Sequence, residues 1–103
     1  MYNDSWKRMD IHHHLSSGGG AWSILDAQQG KVVAELRYSI SDAILVIESV
    51  WVDVSLRGKG VGKKLVETAI EYAREHNIKV HPVCSFASAL FDAHAVEWSD
   101  VRS

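Results

Sequence analysis

Between Lys31 and Ile40 apolar and polar residues alternate. Val32, Ala34, Leu36, Tyr38 and Ile40 fall on one side, and Lys31, Glu35, Arg37 and Ser39 on the other. Successive side chains of an extended chain point to opposite faces, so a period of two predicts a half-buried strand. Ser41-Asp42 reads as a turn. The next run, Ile44 to Val54, is apolar at both parities and rich in Val and Ile, which predicts an interior strand; Glu48 is an acid inside it. The period then changes. Val61, Leu65, Val66, Ala69, Ile70 and Ala73 recur three and four apart, which predicts a helix from about Val61 to His76, stopped at Asn77. Ala21 to Asp26 reads as a short strand before a turn at Gln28-Gln29-Gly30, and Ile78 to Val83 as another strand. Ser85 to His94 reads as a second, shorter helix with Phe86, Ala87, Leu90 and Phe91 inward. The order is β-β-β-α-β-α, an α+β arrangement in which hairpins come first and a crossover helix returns the chain to the same sheet.

Residues Met1 to Gly20 differ in texture. They hold His12-His13-His14 and then Ser16-Ser17-Gly18-Gly19-Gly20, which reads as an irregular N-terminal extension, with 21–103 as the folded domain. Adjacent histidines do not share a face, and no Cys or carboxylate at ligand spacing joins them, so no metal site is expected. The 103 residues suit a single domain with a real core. No apolar run approaches the roughly 18 residues of a membrane span, and Met1 to Asp10 lacks a secretory h-region. The lone cysteine, Cys84, permits no internal disulfide and fits a cytoplasmic location. A net charge of −2 gives no general attraction to nucleic acid or anionic membrane, so any anion site must be local.

Such a site is visible between Leu56 and Lys64. Gly58, Gly60 and Gly62 alternate just before the first helix. Glycine permits positive φ and lets a ligand approach the main chain. The first N–H groups of a helix have no internal partner and sit at its positive end, which makes a phosphate cradle. Arg57, Lys59, Lys63 and Lys64 crowd the same end, where the dipole would favour acids, so a compensating anion is expected. A solvated basic loop with glycines for a tight turn is the plainer alternative. The spacing is not that of a Walker A loop, which needs four residues between its first glycine and Gly-Lys-[Ser/Thr]. Nor is it the Gly-x-Gly-x-x-Gly of a dinucleotide fold.

The segment Val52-Asp53-Val54-Ser55-Leu56-Arg57-Gly58-Lys59-Gly60-Val61-Gly62-Lys63-Lys64-Leu65 resembles motif A of the GNAT superfamily of acyl-CoA N-acyltransferases. Arg57, Gly60 and Gly62 match its Arg/Gln-x-x-Gly-x-Gly/Ala signature. Pro82-Val83-Cys84-Ser85-Phe86-Ala87 resembles the Pro-x-Cys-Pro-Phe-x segment of a small, minimal GNAT-like family, with Ser85 in place of the second proline. The resemblance covers roughly Gly20 to His94. It implies a three-layer GNAT-like α/β fold that binds acetyl-coenzyme A. It also implies that the main-chain amides of Arg57 to Lys63 (Arg57, Gly58, Lys59, Gly60, Val61, Gly62 and Lys63) hold the pyrophosphate. The strand around Val52 and Val54 would hydrogen-bond the pantetheine arm.

Two residues are catalytic candidates. Cys84 precedes a helix, whose N-terminus favours a thiolate; the resemblance places it near the acetyl thioester, where it would take the acyl group transiently. A lone cysteine is equally at home as a small buried hydrophobe. The resemblance implies a strand acid or a water that deprotonates the amine, since an ammonium cannot attack a thioester; Glu48 is the candidate acid, or else it pairs across the sheet. His94 and His81 are expected to be ordinary surface histidines, while Trp51 and Trp98 suit either a ligand groove or the core. The expected function is N-acetyl transfer from acetyl-CoA to an amine that the residues do not name. A non-catalytic coenzyme A-binding or sensing module and a protein interaction domain are the alternatives, with no nucleic acid, membrane or metal partner.

Overall fold

The computed structural model describes residues 9–103. The elements are β1 (Ile11–Ser16), β2 (Gly19–Asp26), β3 (Lys31–Ser41), β4 (Ile44–Val52), a 3-10 turn (Val54–Leu56), α1 (Val61–Glu75), β5 (Lys79–Pro82) and α2 (Ser85–Ala93). The strands form one sheet in the order β1-β2-β3-β4-β5, antiparallel except for the parallel pair β4–β5.

The irregular extension expected through Gly20 is corrected in part. Ile11–Ser16 is an edge strand paired along its length with β2, and β2 begins at Gly19; residues 1–8 lie outside the described residues. The glycines that read as flexible serve close approach instead. A Cβ on Gly19 would sit 2.8 Å from Ser39 Cα, and one on Gly20 2.7 Å from the Tyr38 hydroxyl oxygen. The edge strand is held by aromatic contacts. His13 stacks on Trp22 with ring centroids 4.3 Å apart, and its Nε2 lies 2.6 Å from the Tyr38 hydroxyl. Burial of its ring is the main cause that holds the His13 pKa below its usual value, with His14 and His76 adding repulsion.

The β3–β4 hairpin turns on Asp42 and Ala43, with φ of 52° and 60°. Two consecutive left-handed residues make the turn whose twist matches the strands. Alternation in β3 breaks at its start. The pairing jumps from Ile24↔Ala34 to Leu25↔Val32, so Val33 is an unpaired bulge residue. Val33 is therefore buried, and Val32, expected on the inner side, is 41% exposed.

Both helices cover the same face. Trp22, Ile24, Ala34, Leu36, Tyr38, Leu45, Ile47 and Val80 of that face are buried against Val61, Leu65, Val66, Ala69, Ile70 and Ala73 of α1 and Ala87 and Phe91 of α2. The other face leaves His12, His14, Arg37, Trp51, Lys79 and His81 exposed. The described residues thus make two layers, sheet and helices, where the resemblance implied three. β4 is an interior strand as expected, but it ends at Val52 and only one of its faces is covered. α1 ends in a Schellman turn: Asn77 takes φ 55°, and the Ile78 N–H donates to Ala73 O at 3.0 Å. After α2 the chain returns to the outer edge of β5. There the Val80 N–H donates to Val101 O at 2.7 Å, and the Arg74 guanidinium grips Asp100 with Nε and Nη2 at 3.0 Å. Trp98, one of the two tryptophans left open between groove and core, is a core residue stacked on His94.

Candidate active site

The site arises where β4 and β5 part. They pair only from Ile44↔Lys79 to Ile47↔Pro82. The N–H groups of Val83 and Cys84 then both donate to Ile47 O, at 3.1 and 3.2 Å, and the chain leaves the sheet into α2. β4 continues to Val52 paired with β3 only. Asp53 N–H points to Val33 O on β3 at 2.8 Å. Because main-chain groups alternate in direction along a strand, those of Val52 and Val50 point the other way, into the gap. The gap is a groove of about 630 Å³. Val50, Trp51 and Val52 line one side, Phe86 and Leu90 of α2 the other, and the loop from Leu56 to Lys63 closes the end.

That loop is built locally. Asp53 Oδ2 accepts from the Ser55 N–H at 3.0 Å and from Ser55 Oγ at 2.5 Å, which sets the 3-10 turn. These Ser55 hydrogen bonds, side chain first, hold the Asp53 carboxyl below its usual pKa. Arg57 Nε donates back to Val52 O at 3.0 Å. Gly58 and Gly60 take φ of 78° and 85°, a region that residues with a Cβ avoid. Gly60 is the N-cap of α1, and its carbonyl receives the Lys64 N–H at 3.1 Å. The N–H groups of Val61, Gly62 and Lys63 therefore have no acceptor within the helix. No acid lies in the first turn, and Lys63 stands on the groove wall. Gly62 lies under the Phe86 ring, where a Cβ would come within 2.7 Å of Cζ.

Of the expected cofactor residues, Val52, Arg57, Gly58, Gly60, Val61, Gly62 and Lys63 line the groove together. Lys59 lines a smaller cavity of about 320 Å³ on the other side of the loop, with Lys31, Asp53 and Ser55. Val54 lies in the 3-10 turn, not the strand, and is 72% exposed. Glu48 is an exposed bulge residue. The β3–β4 register jumps from Arg37↔Ser49 to Tyr38↔Ile47, leaving Glu48 unpaired beside the fork, where it accepts from Ser39 Oγ at 3.3 Å. Cys84 is half-buried at the N-cap of α2, packed against the core at the apex of the fork. His94 faces Glu97, with Nδ1 3.0 Å from Oε1. His81 is exposed on the uncovered face.

Sequence reasoning missed the far wall. Phe86 and Leu90 read as inward residues of an amphipathic helix, yet Phe86 is 44% exposed and borders the groove. Its aromatic size opposite the third loop glycine was the available signal. Trp51 also borders the groove and is 46% exposed.

The family model of GCN5-related N-acetyl-transferases matches residues 21–101. A GCN5-like protein of Staphylococcus aureus, assigned as an N-acetyltransferase, is 30% identical with a TM-score of 0.71, over 92% of this chain and 88% of that one. The ribosomal-protein-S18-alanine N-acetyltransferase of Escherichia coli is 15% identical with a TM-score of 0.62, over 77% of this chain and 53% of that one. A Bacillus anthracis protein assigned as a streptothricin acetyltransferase, solved in complex with acetyl coenzyme A, is 23% identical with a TM-score of 0.51. It shares 61% of this chain and 36% of its own. The latter two likenesses are of fold. No curated protein matches the chain in sequence. The chain belongs to the GCN5-related N-acetyltransferase family and is an acetyltransferase of that α+β fold. It spans most of the Staphylococcus protein but only about half of the Escherichia enzyme. Among the described residues no helix is long and apolar enough to cross a membrane.

Proposed function

We propose that the groove binds acetyl-CoA and that the chain transfers its acetyl group to a primary amine at the fork. The observation that carries this reading is the unpaired edge of β4, leading from a helix-start anion cradle to the parting of β4 and β5. The pyrophosphate sits on the free N–H groups of Val61, Gly62 and Lys63, with the Lys63 ammonium beside it. The pantetheine amides pair with the main-chain groups of Val50 and the Val52 N–H as a short added strand, the Val52 carbonyl being held by Arg57. The apolar side chains of Val50, Phe86 and Leu90 exclude water along that arm.

The thioester then lies near Ile47 and Cys84. The amine nitrogen attacks its carbonyl carbon, the carbon–sulfur bond breaks, and coenzyme A leaves as the thiolate. The amine proton passes to Glu48, directly or through water, because only the free amine has a lone pair to attack with. Positioning supplies the remainder of the rate. A second reading follows from the place of Cys84 at the fork apex. Its sulfur attacks the thioester carbonyl carbon first, the carbon–sulfur bond to coenzyme A breaks as coenzyme A leaves, and the amine then takes the acetyl group from Cys84, whose sulfur is released.

Calorimetric titration with acetyl-CoA tests the binding. Gly60→Val forces a branched side chain to φ 85° and weakens binding. No heat at millimolar cofactor with the wild type would remove the reading. Intact-mass spectrometry separates the two routes: an added acetyl on Cys84 supports the relay, and unchanged release of coenzyme A by Cys84→Ala supports direct attack.

A further inference from the structure

We propose that Arg57 acts as a positioning residue, clamping the phosphate loop to the end of β4 through Nε, and that this hydrogen bond matters more for cofactor binding than its charge does. Val52 is the last residue of β4, and its carbonyl points into the gap, where no strand accompanies it. A main-chain carbonyl left unpaired there would be unfavourable. Arg57 Nε fills it at 3.0 Å. The bond spans the loop and fixes where Gly58 begins its left-handed turn. The first half of the loop is held separately by Asp53 and Ser55, and by Leu56 N–H on Asp53 O at 2.9 Å. In the second half, the Arg57 N–H reaches Val54 O at a long 3.3 Å. The side-chain bond is thus what ties the approach to Gly58 and Gly60 back to the sheet. A cation is already on the groove wall in Lys63.

Side-chain chemistry separates clamp from charge. Glutamine carries an amide N–H at the same bond count from Cα as Arg Nε, and is neutral. Lysine keeps the charge but has a methylene at that position. The clamp therefore predicts an order opposite to that of charge: Arg57→Gln better than Arg57→Lys.

Two measurements test it. Amide hydrogen exchange on the free protein reads loop order without cofactor. Residues 53–60 should exchange at least about fivefold faster in Arg57→Lys than in the wild type or Arg57→Gln, since local opening follows lost bonds. Calorimetry with coenzyme A reads affinity, and this arm rests on the acetyl-CoA reading of the groove. Arg57→Lys should bind about tenfold more weakly, and Arg57→Gln no more than about threefold, the scale of one hydrogen bond against one screened charge. Equal behaviour of the two variants in both measurements, or a lysine variant that outperforms glutamine, overturns the clamp. If the wild type does not bind coenzyme A, the cofactor reading falls, and the exchange experiment still decides whether Arg57 holds the loop.

Discussion

Gly62 tests how α2 shapes the groove. A Cβ at this position would lie 2.7 Å from Phe86 Cζ and 2.8 Å from Cε2. Carbon atoms pack best at about 3.5–4.0 Å, so in Gly62→Ala the ring must retreat by roughly 1 Å. Overpacking of this kind costs about 1–3 kcal/mol, but Phe86 is 44% exposed and can swing, which favours the low end. Alanine returns up to about 1 kcal/mol of helix propensity. The net expectation is a loss of at most about 1 kcal/mol, no more than roughly 4–8 °C in Tm for a domain of this size. The sharper measurement is a double-mutant cycle by thermal and urea unfolding. With Phe86→Ala already present, the clash is gone and propensity alone remains. Gly62→Ala should then stabilise, reversing its sign. Equal destabilisation in both backgrounds would show that the Phe86 contact is not what excludes a side chain at Gly62. Coenzyme A affinity should fall in Gly62→Ala, because Phe86 is a groove wall.

Other expectations follow from single features. Ala43 holds φ 60° in the hairpin turn, so Ala43→Gly should raise stability by roughly 0.5–1 kcal/mol, read as a higher urea midpoint. Leu65 is fully buried beneath the sheet, and Leu65→Ala should cost about 2–5 kcal/mol in the same assay. Trp98→Ala should cost about 3–5 kcal/mol, since the ring is buried and packs edge-on against Phe91 at 5.0 Å. The folded-state pKa of His13 is depressed from 6.5, so its contribution is full above that value and is lost as pH falls toward the folded pKa. His13→Phe should flatten the stability profile on the acid side of pH 6.5; an unchanged slope would assign that loss to other groups.

How much was legible depended on whether the information was local. The α1 stripe, its stop at Asn77 and the hairpin turn at Asp42 each follow from a few neighbouring residues. So did the glycine-rich loop at the start of α1, whose glycines and cations lie within a few residues of one another. β1 was not legible, because an edge strand bearing His12, His13 and His14 has no clean apolar alternation. Gly19 and Gly20 also carry the same letters whether they make a linker or let Tyr38 approach. Phe86 and Leu90 could be placed on a helix but not opposite Val50. That pairing depends on where β4 and β5 stop matching, a choice made between segments some thirty residues apart. The family resemblance suggested a ligand for the groove, while its walls needed the fold.

The unpaired Glu48 has a further consequence for the strand that carries it. Before it, Leu45 and Ile47 face the helices; after it, Val50 and Val52 do. Were Glu48 instead paired in regular alternation, the inward frame would run on to Ser49 and Trp51, and the two valines would face solvent. Deleting Glu48 would therefore remove more than one carboxylate. It would also remove the bulge, leaving Ile47, Val50 and Val52 on one face of a regular strand, whereas inserting one paired residue after Glu48 would exchange one set of groove-facing side chains for the other. In this domain the identity of the groove wall is written in the count of residues as well as in their kind.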